Sequence, residues 1–393
     1  MRALVLSGMA LIAATYGLAR FGYGLFLPRF TEAFPMGSAV SGLIQAGSFL
    51  SFCLAAVLAS RLAARPRLVV VCAGATAALG SAGVAVAPTV VVLAGSVVLA
   101  GAGAGFATPG LVTLIERDIV PARQERAQTV VNAGTGAGIV TAGVLMLLTT
   151  EQWRLGWAAM AALVVLATLA TLRADRSVHR AQAPEPPPRV RARDLASLAR
   201  PIAAAALAGA SSAAVWTFGR TVLATSRTGE EAYSIGAWMV LGAFGVLGAT
   251  AGTIVQVWSL RAAWHLTVGA MAVSTVVLGA APGSPLAAYV SVAVFGAGYT
   301  ALCGVLILWA TRVVPERASA GTAALFIALA VGQAAGAVLL GVLMGSTSPV
   351  LTFAVAGLIG VLAVVPAARH RPGTPSPGRT AALSRTGVEE TRD

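Results

Sequence analysis

Two stretches, VPARQERAQTVVNAGTGAG at residues 120–138 and VPERASAGTAALFIALAVG at residues 314–332, decide how this chain folds. Each opens on Val-Pro-x-Arg, links two long apolar runs, and places a glycine 17 residues after its proline, at Gly138 and at Gly332. Each follows a Gly-rich run, Gly101, Gly103 and Gly105 in one case and Gly296 and Gly298 in the other, and further glycines, Gly134 and Gly336, extend the likeness. At an offset of about 194 residues, one half of the chain repeats the other. A bilayer core takes about 20 apolar residues per helix. On that rule the first half predicts spans at 4–27, 38–59, 68–87, 90–115, 127–148 and 154–173. The second half predicts 201–225, 233–257, 264–281, 286–311, 318–344 and 350–367. Six spans per half send both copies through the membrane in the same sense, which implies a pseudo-two-fold axis along the membrane normal. The fold class is therefore an all-α membrane protein of twelve transmembrane helices in two parallel six-helix repeats.

Composition agrees. Of 393 residues, 57% are hydrophobic and 10% charged, with a mean hydropathy of +0.84, whereas soluble domains carry about 25% charged residues. All 27 basic residues are arginine. Without lysine there is no Walker A phosphate loop and no Schiff base, which excludes a P-loop ATPase, a pyridoxal enzyme and a retinal pigment. Cys53, Cys72 and Cys303 stand singly in apolar runs, so neither a disulfide framework nor a zinc site is expected. The spans offer no paired carboxylates, no His/Glu cluster and no serine beside a base, so no enzyme and no cofactor are expected. Glycines spaced by four let helices approach closely, and the glycine runs are read as packing surfaces, not nucleotide loops.

Twenty-two arginines fall on the side of the two termini, three (Arg29, Arg154 and Arg227) on the other, and two inside spans. The positive-inside rule then puts both termini in the cytoplasm of a multi-pass cell-membrane protein. The +13 net charge reads as topology and contact with anionic headgroups, so the lipid bilayer, not nucleic acid, is the expected partner. The first span runs too long, without a cleavage site, to be a secretory signal and is expected to be retained. Expected domains are an N-terminal bundle at 1–173, a Pro- and Arg-rich cytoplasmic linker at 174–200, a C-terminal bundle at 201–367 and a disordered tail at 368–393.

Two parallel six-helix bundles joined by a cytoplasmic linker resemble the major facilitator superfamily of secondary transporters over about residues 1–367. The superfamily's loop motif between spans two and three survives in degenerate form as Ser60-Arg61-Leu62-Ala63-Ala64-Arg65-Pro66-Arg67, with Ser60 in the acidic position, and more faintly as Ser259-Leu260-Arg261. The resemblance implies a cytoplasmic gating role for Arg61, Arg65 and Arg261. The fourth-span exporter motif has Val97 where its arginine belongs, and the fifth span offers Gly134-Thr135-Gly136-Ala137-Gly138 without the antiporter Gly-Pro. The resemblance also implies alternating access and a monomer with a small-molecule substrate.

All 14 acidic residues lie in the expected loops, linker or tail, so the spans lack the carboxylates that usually relay protons. His265 beside Trp264 reads as an interfacial residue. Against that background Arg20 in the first span and Arg220 in the seventh stand out. They read as repeat equivalents, 200 residues apart, and insertion of each costs about 2.5 to 3.5 kcal/mol. One reading brings both guanidinium groups onto one small organic anion, a carboxylate or phosphate ester, whose binding relieves their repulsion and favours exchange. The other has them snorkel or pair with Glu32, Glu230 or Glu231. Tyr16 and Tyr23 share a helical face with Arg20, and Trp216 shares one with Arg220. Gln45, Asn132, Gln256 and Gln333 are intramembrane groups that could bond substrate or neighbouring helices. Tyr299 joins the candidates by superfamily analogy. The alternatives are a proton-coupled exporter of amphipathic compounds and a receptor or scaffold that moves nothing.

Overall fold

A computed structural model of the chain describes residues 2–149, 152–175, 192–248 and 259–368. Ten of its helices are long and apolar enough to cross a membrane, and two shorter apolar helices complete the twelve. In chain order they are α1 Arg2–Ala33, α2 Ser38–Arg61, α3 Pro66–Val86, α4 Val90–Asp118, α5 Pro121–Thr149 and α6 Trp153–Ala174, then α7 Ala196–Ser226, α8 Glu231–Leu247, α9 Leu260–Ala280, α10 Pro285–Val313, α11 Ala318–Ser346 and α12 Pro349–Leu362. The helices start where sequence chemistry starts them. Thr89, Ser259 and Ser348 accept hydrogen bonds from the backbone of Val92, Ala262 and Leu351, and Pro66, Pro285 and Pro349 take first-turn positions where a missing N–H costs nothing. The end of the span expected at 233–257 lies outside the described residues, as do most of the expected linker and the tail.

Several helices outrun the expected spans, and this relocates several acids. Glu32, Glu116, Asp118, Glu125 and Glu231 sit in the end turns of α1, α4, α5 and α8, not in loops. Below, "the terminal face" is the side where α1 begins, and "the opposite face" is the side where it ends.

Close glycine contacts show the repeat directly. A methyl group on Gly134 or Gly138 of α5 would run into the carbonyls of Met9 or Ala13 on α1. In the second half Gly332 and Gly336 of α11 abut the carbonyls of Ala206 and Ala210 on α7 in the same way. The equivalent of Gly134 is thus Gly332, an offset of 198, one helical turn from the 194 read off the Val-Pro-x-Arg links. The links differ in geometry as well, since Pro315–Arg317 forms a 3₁₀ turn whereas Pro121 begins α5 itself.

The α1–α7 pair differs from ordinary helices in one respect. Ala13–Arg20 of α1 and Ala214–Phe218 of α7 are wound as π-helix, and Phe21 donates to the Tyr16 carbonyl five residues back at 2.9 Å. Wide turns of this kind recur at functional sites. At the offset of 197 that relates Met9 to Ala206, the counterpart of Arg20 is Thr217, so the two arginines are not equivalent in the repeat.

Gly332→Ala is expected to lower stability by about 1 to 3 kcal/mol, because the added carbon meets backbone that cannot give way. Gly345→Ala, with nothing within 4 Å of the new atom, should leave it unchanged. Thermal unfolding of the two purified variants in detergent checks the pair.

Candidate functional site

Arg20 lies near the middle of α1 and is only 4% exposed. The π-turn carries it toward α2, where Phe52 and Phe49 stand 4.1 and 5.3 Å from the guanidinium carbon. Phe21 and Tyr16 complete the surround at 5.3 and 5.6 Å. Aromatic faces attract a desolvated cation by up to about 2 kcal/mol each. One Nη donates to the Gln333 carbonyl oxygen on α11 at 3.2 Å. Gln333 in turn donates to Tyr299 on α10 at 3.1 Å and to Ser212 on α7 at 3.3 Å. Residues of both halves therefore surround one buried charge.

That charge is not neutralised. Among the described residues no carboxylate lies within 4.0 Å of Arg20. Among the same residues its Nε has no hydrogen-bond partner, and the buried Gln45 carbonyl oxygen on α2 and the Trp216 indole N–H on α7 also have none. A buried polar group without a partner costs about 1 to 3 kcal/mol, and a charged one more. Trp216 stacks on Phe21 at 4.0 Å and meets Tyr299 edge-on at 5.1 Å. On the terminal side Tyr16, Thr108, Tyr299 and Cys303 are half-buried, and Tyr16 and Thr108 share a hydrogen bond of 2.9 Å. On the opposite side Phe21, Leu25, Trp216 and Phe295 are buried.

Arg220 occupies different surroundings. It is 1% exposed, about 9 Å from the end of α7 at 1.5 Å per residue. It donates to the Leu25 carbonyl on α1 at 2.7 Å, to Glu231 at 2.8 Å and to the Ser234 hydroxyl at 3.3 Å. Glu231 also pairs with Arg29 on α1 at 2.6 Å, and Arg29 pairs with Glu32 at 3.0 Å. This ionic cluster ties α1 to α7 and α8 across the two halves at the opposite face. Below it Gly24 abuts the Trp216 carbonyl, Gly42 of α2 abuts Ala337 of α11, and Gly143 of α5 abuts Met239 of α8. The opposite face is closed. The expected convergence of two arginines on one anion is accordingly revised: Arg20 faces the shared centre, and Arg220 spends its donors on the closed face.

The other expected site residues separate in the same way. Tyr16, Trp216, Tyr299 and Gln333 gather around Arg20, and Gln45 leaves its carbonyl oxygen open on α2. Tyr23 is fully buried, donates to the Ser41 carbonyl at 3.1 Å and packs on Phe30, away from the centre. Asn132 lines a shallow cleft between α1, α4 and α5 with Thr108 and Gln128, nearer the terminal face. Gln256 lies outside the described residues. Arg61, Arg65 and Arg261 are exposed at the terminal face, where Arg67, also exposed, forms an ion pair of 3.0 Å with the buried Asp175. Sequence reasoning missed Phe49, Phe52 and Ser212, which look like any other residues of an apolar helix. It also left Arg29 unassigned, although Arg29 is one of only three arginines on its side.

A family model described as Major Facilitator Superfamily matches residues 9–337. The chain belongs to the Major Facilitator Superfamily. Among solved structures it is similar to the nucleoside transporter NupG, at 15% identity and a TM-score of 0.71, covering 93% of this chain and 98% of that one. It is also similar to a bacterial homolog of the human lysosomal transporter Spinster, inward-facing and unoccupied, at 15% identity and a TM-score of 0.70, covering 93% of each. A third, a POT family transporter in complex with 5-aminolevulinic acid, gives 12% identity and a TM-score of 0.73, covering 93% of this chain and 95% of that one. No curated protein matches the sequence. The fold is that of a transporter of this superfamily.

Glu231→Gln removes a carboxylate shared by Arg29 and Arg220, and the opposite face should then open more often. Spin labels at Thr31 and Thr228 in a cysteine-free background are expected to show a longer mean distance in the variant than in the parent, by double electron–electron resonance.

Proposed function

We propose that this transporter carries a small organic anion with a single negative charge, a carboxylate on an apolar body, by alternating access, with Arg20 as its binding cation. The observation that carries the reading is the buried, unneutralised guanidinium of Arg20 at the junction of the halves. A carboxylate there gains a charge-assisted hydrogen bond from Nε, in surroundings where such bonds are strong. The rings of Phe21, Phe49, Phe52 and Trp216 suit an apolar body. With Arg220 neutralised by Glu231, one net positive charge remains, which favours a carboxylate over a doubly charged phosphate ester. A fixed buried cation also disfavours cationic drugs, which argues against export of lipophilic cations. The arginine asymmetry supports termini in the cytoplasm of the cell membrane, so the side half-buried around Arg20 would be the cytoplasmic one. We take the working unit to be a monomer.

In proteoliposomes, counterflow of labelled mandelate, an aromatic carboxylate almost wholly ionised near neutral pH, is the expected activity, with none for labelled tetraphenylphosphonium. Arg20→Gln should reduce mandelate counterflow about ten- to a hundredfold, the worth of one charged hydrogen bond, with Arg20→Lys between the two. Equal flux in wild type and Arg20→Gln would reject the reading. No flux of any solute would favour a receptor or scaffold.

A further inference from the structure

The contact between Arg20 and Gln333 joins α1 of the first half to α11 of the second at the centre of the molecule. Gln333 is fully buried, and its orientation is fixed from behind. Its amide nitrogen spends its hydrogens on the Tyr299 hydroxyl at 3.1 Å and the Ser212 hydroxyl at 3.3 Å, so its carbonyl oxygen is the end presented to Arg20. That oxygen is a neutral acceptor in the position a carboxylate oxygen would take on the same guanidinium. We propose that Gln333 is an internal stand-in for the cargo: it takes an Nη hydrogen bond of Arg20 in the unloaded carrier, lets the halves close around an empty site, and so permits return without substrate.

This inference rests on the anion reading above and adds to it a mode of transport. A carrier with two facing cations would be held open when empty and confined to exchange. Here Glu231 neutralises one arginine and Gln333 receives a hydrogen bond from the other, so the unloaded form meets no such barrier. An arriving carboxylate displaces a neutral acceptor with a charged one, and charge-assisted hydrogen bonds are roughly twice as strong as neutral ones. The same contact therefore permits empty return and yields to cargo. Gln333 acts through Arg20 and is a positioning residue.

Replacing Gln333 by Leu removes the acceptor, and the empty carrier must then close over an unsatisfied charged donor. Net mandelate uptake into empty proteoliposomes and counterflow into mandelate-loaded ones are measured side by side. The ratio of counterflow to net uptake is expected to rise at least about tenfold, equivalent to about 1.4 kcal/mol on the empty return. Tyr299→Phe, which keeps the contact but releases the amide behind it, should move the ratio the same way by a smaller factor, and this holds the test open if Gln333→Leu does not fold. Gln333→Glu places a fixed carboxylate beside Arg20, and mandelate, expected to raise the unfolding temperature of the wild type, should no longer raise that of the variant. An unchanged ratio in folded Gln333→Leu or Tyr299→Phe, with wild-type flux present, would overturn the stand-in role alone. Absence of mandelate flux through the wild type in both modes defeats the underlying reading and this inference with it.

Discussion

A guanidinium group buried midway through the bilayer, with no carboxylate beside it among the described residues, is the constraint around which the rest of this molecule is arranged. Lipid offers it nothing, so the protein supplies a surround of four rings and one amide oxygen. The arrangement draws on both halves, because Phe49 and Phe52 come from α2 and Gln333 from α11. The π-helical segment of α1 takes part, since it sets the angle at which Tyr16 and Arg20 leave the helix. Partial compensation of this kind leaves Nε open, as well as the carbonyl oxygen of Gln45 and the indole N–H of Trp216. Such atoms hold the chemistry that a passing ligand can complete.

The second intramembrane arginine shows how the same residue type serves a different end. Six residues before the end of α7, Arg220 lies within reach of Glu231, which the short segment after Ser226 brings back across it. Glu231 also holds Arg29 of the first half. One carboxylate thus links three helices and closes one face, while the glycines below it allow backbones to meet. The two charges lie on symmetry-related helices, and their different partners follow from depth: Arg20 is too far from either end of α1 to meet a carboxylate in the end turn of a neighbouring helix.

The architecture was legible in the sequence because a span is a property of length and apolarity, and the spans, their number and their pairing into halves need no contact information. The register of the repeat was not. The Val-Pro-x-Arg links suggested 194, whereas packing relates Gly134 to Gly332, since only the glycine faces, not the links, are held by α1 and α7. Arg20 and Arg220, 200 residues apart, match neither register, so they occupy equivalent helices at different depths. Pattern arguments on α1 placed Tyr16, Arg20 and Tyr23 on one face, but a π-turn breaks the 3.6-residue period between them, and Tyr23 packs with Phe30 instead. Phe49, Phe52 and Ser212 could not be singled out, because in a chain that is 57% hydrophobic another phenylalanine or serine in a span carries no signal.

If an unneutralised Arg20 is the cation on which cargo is recognised, an experimental structure of the carrier with mandelate is the most direct measurement. The account requires carboxylate density bonded to the Arg20 guanidinium between α1 and α11, with Arg220 still on Glu231 or released from it without touching the ligand. Mandelate seated elsewhere, with Arg20 unchanged among its rings, would contradict it.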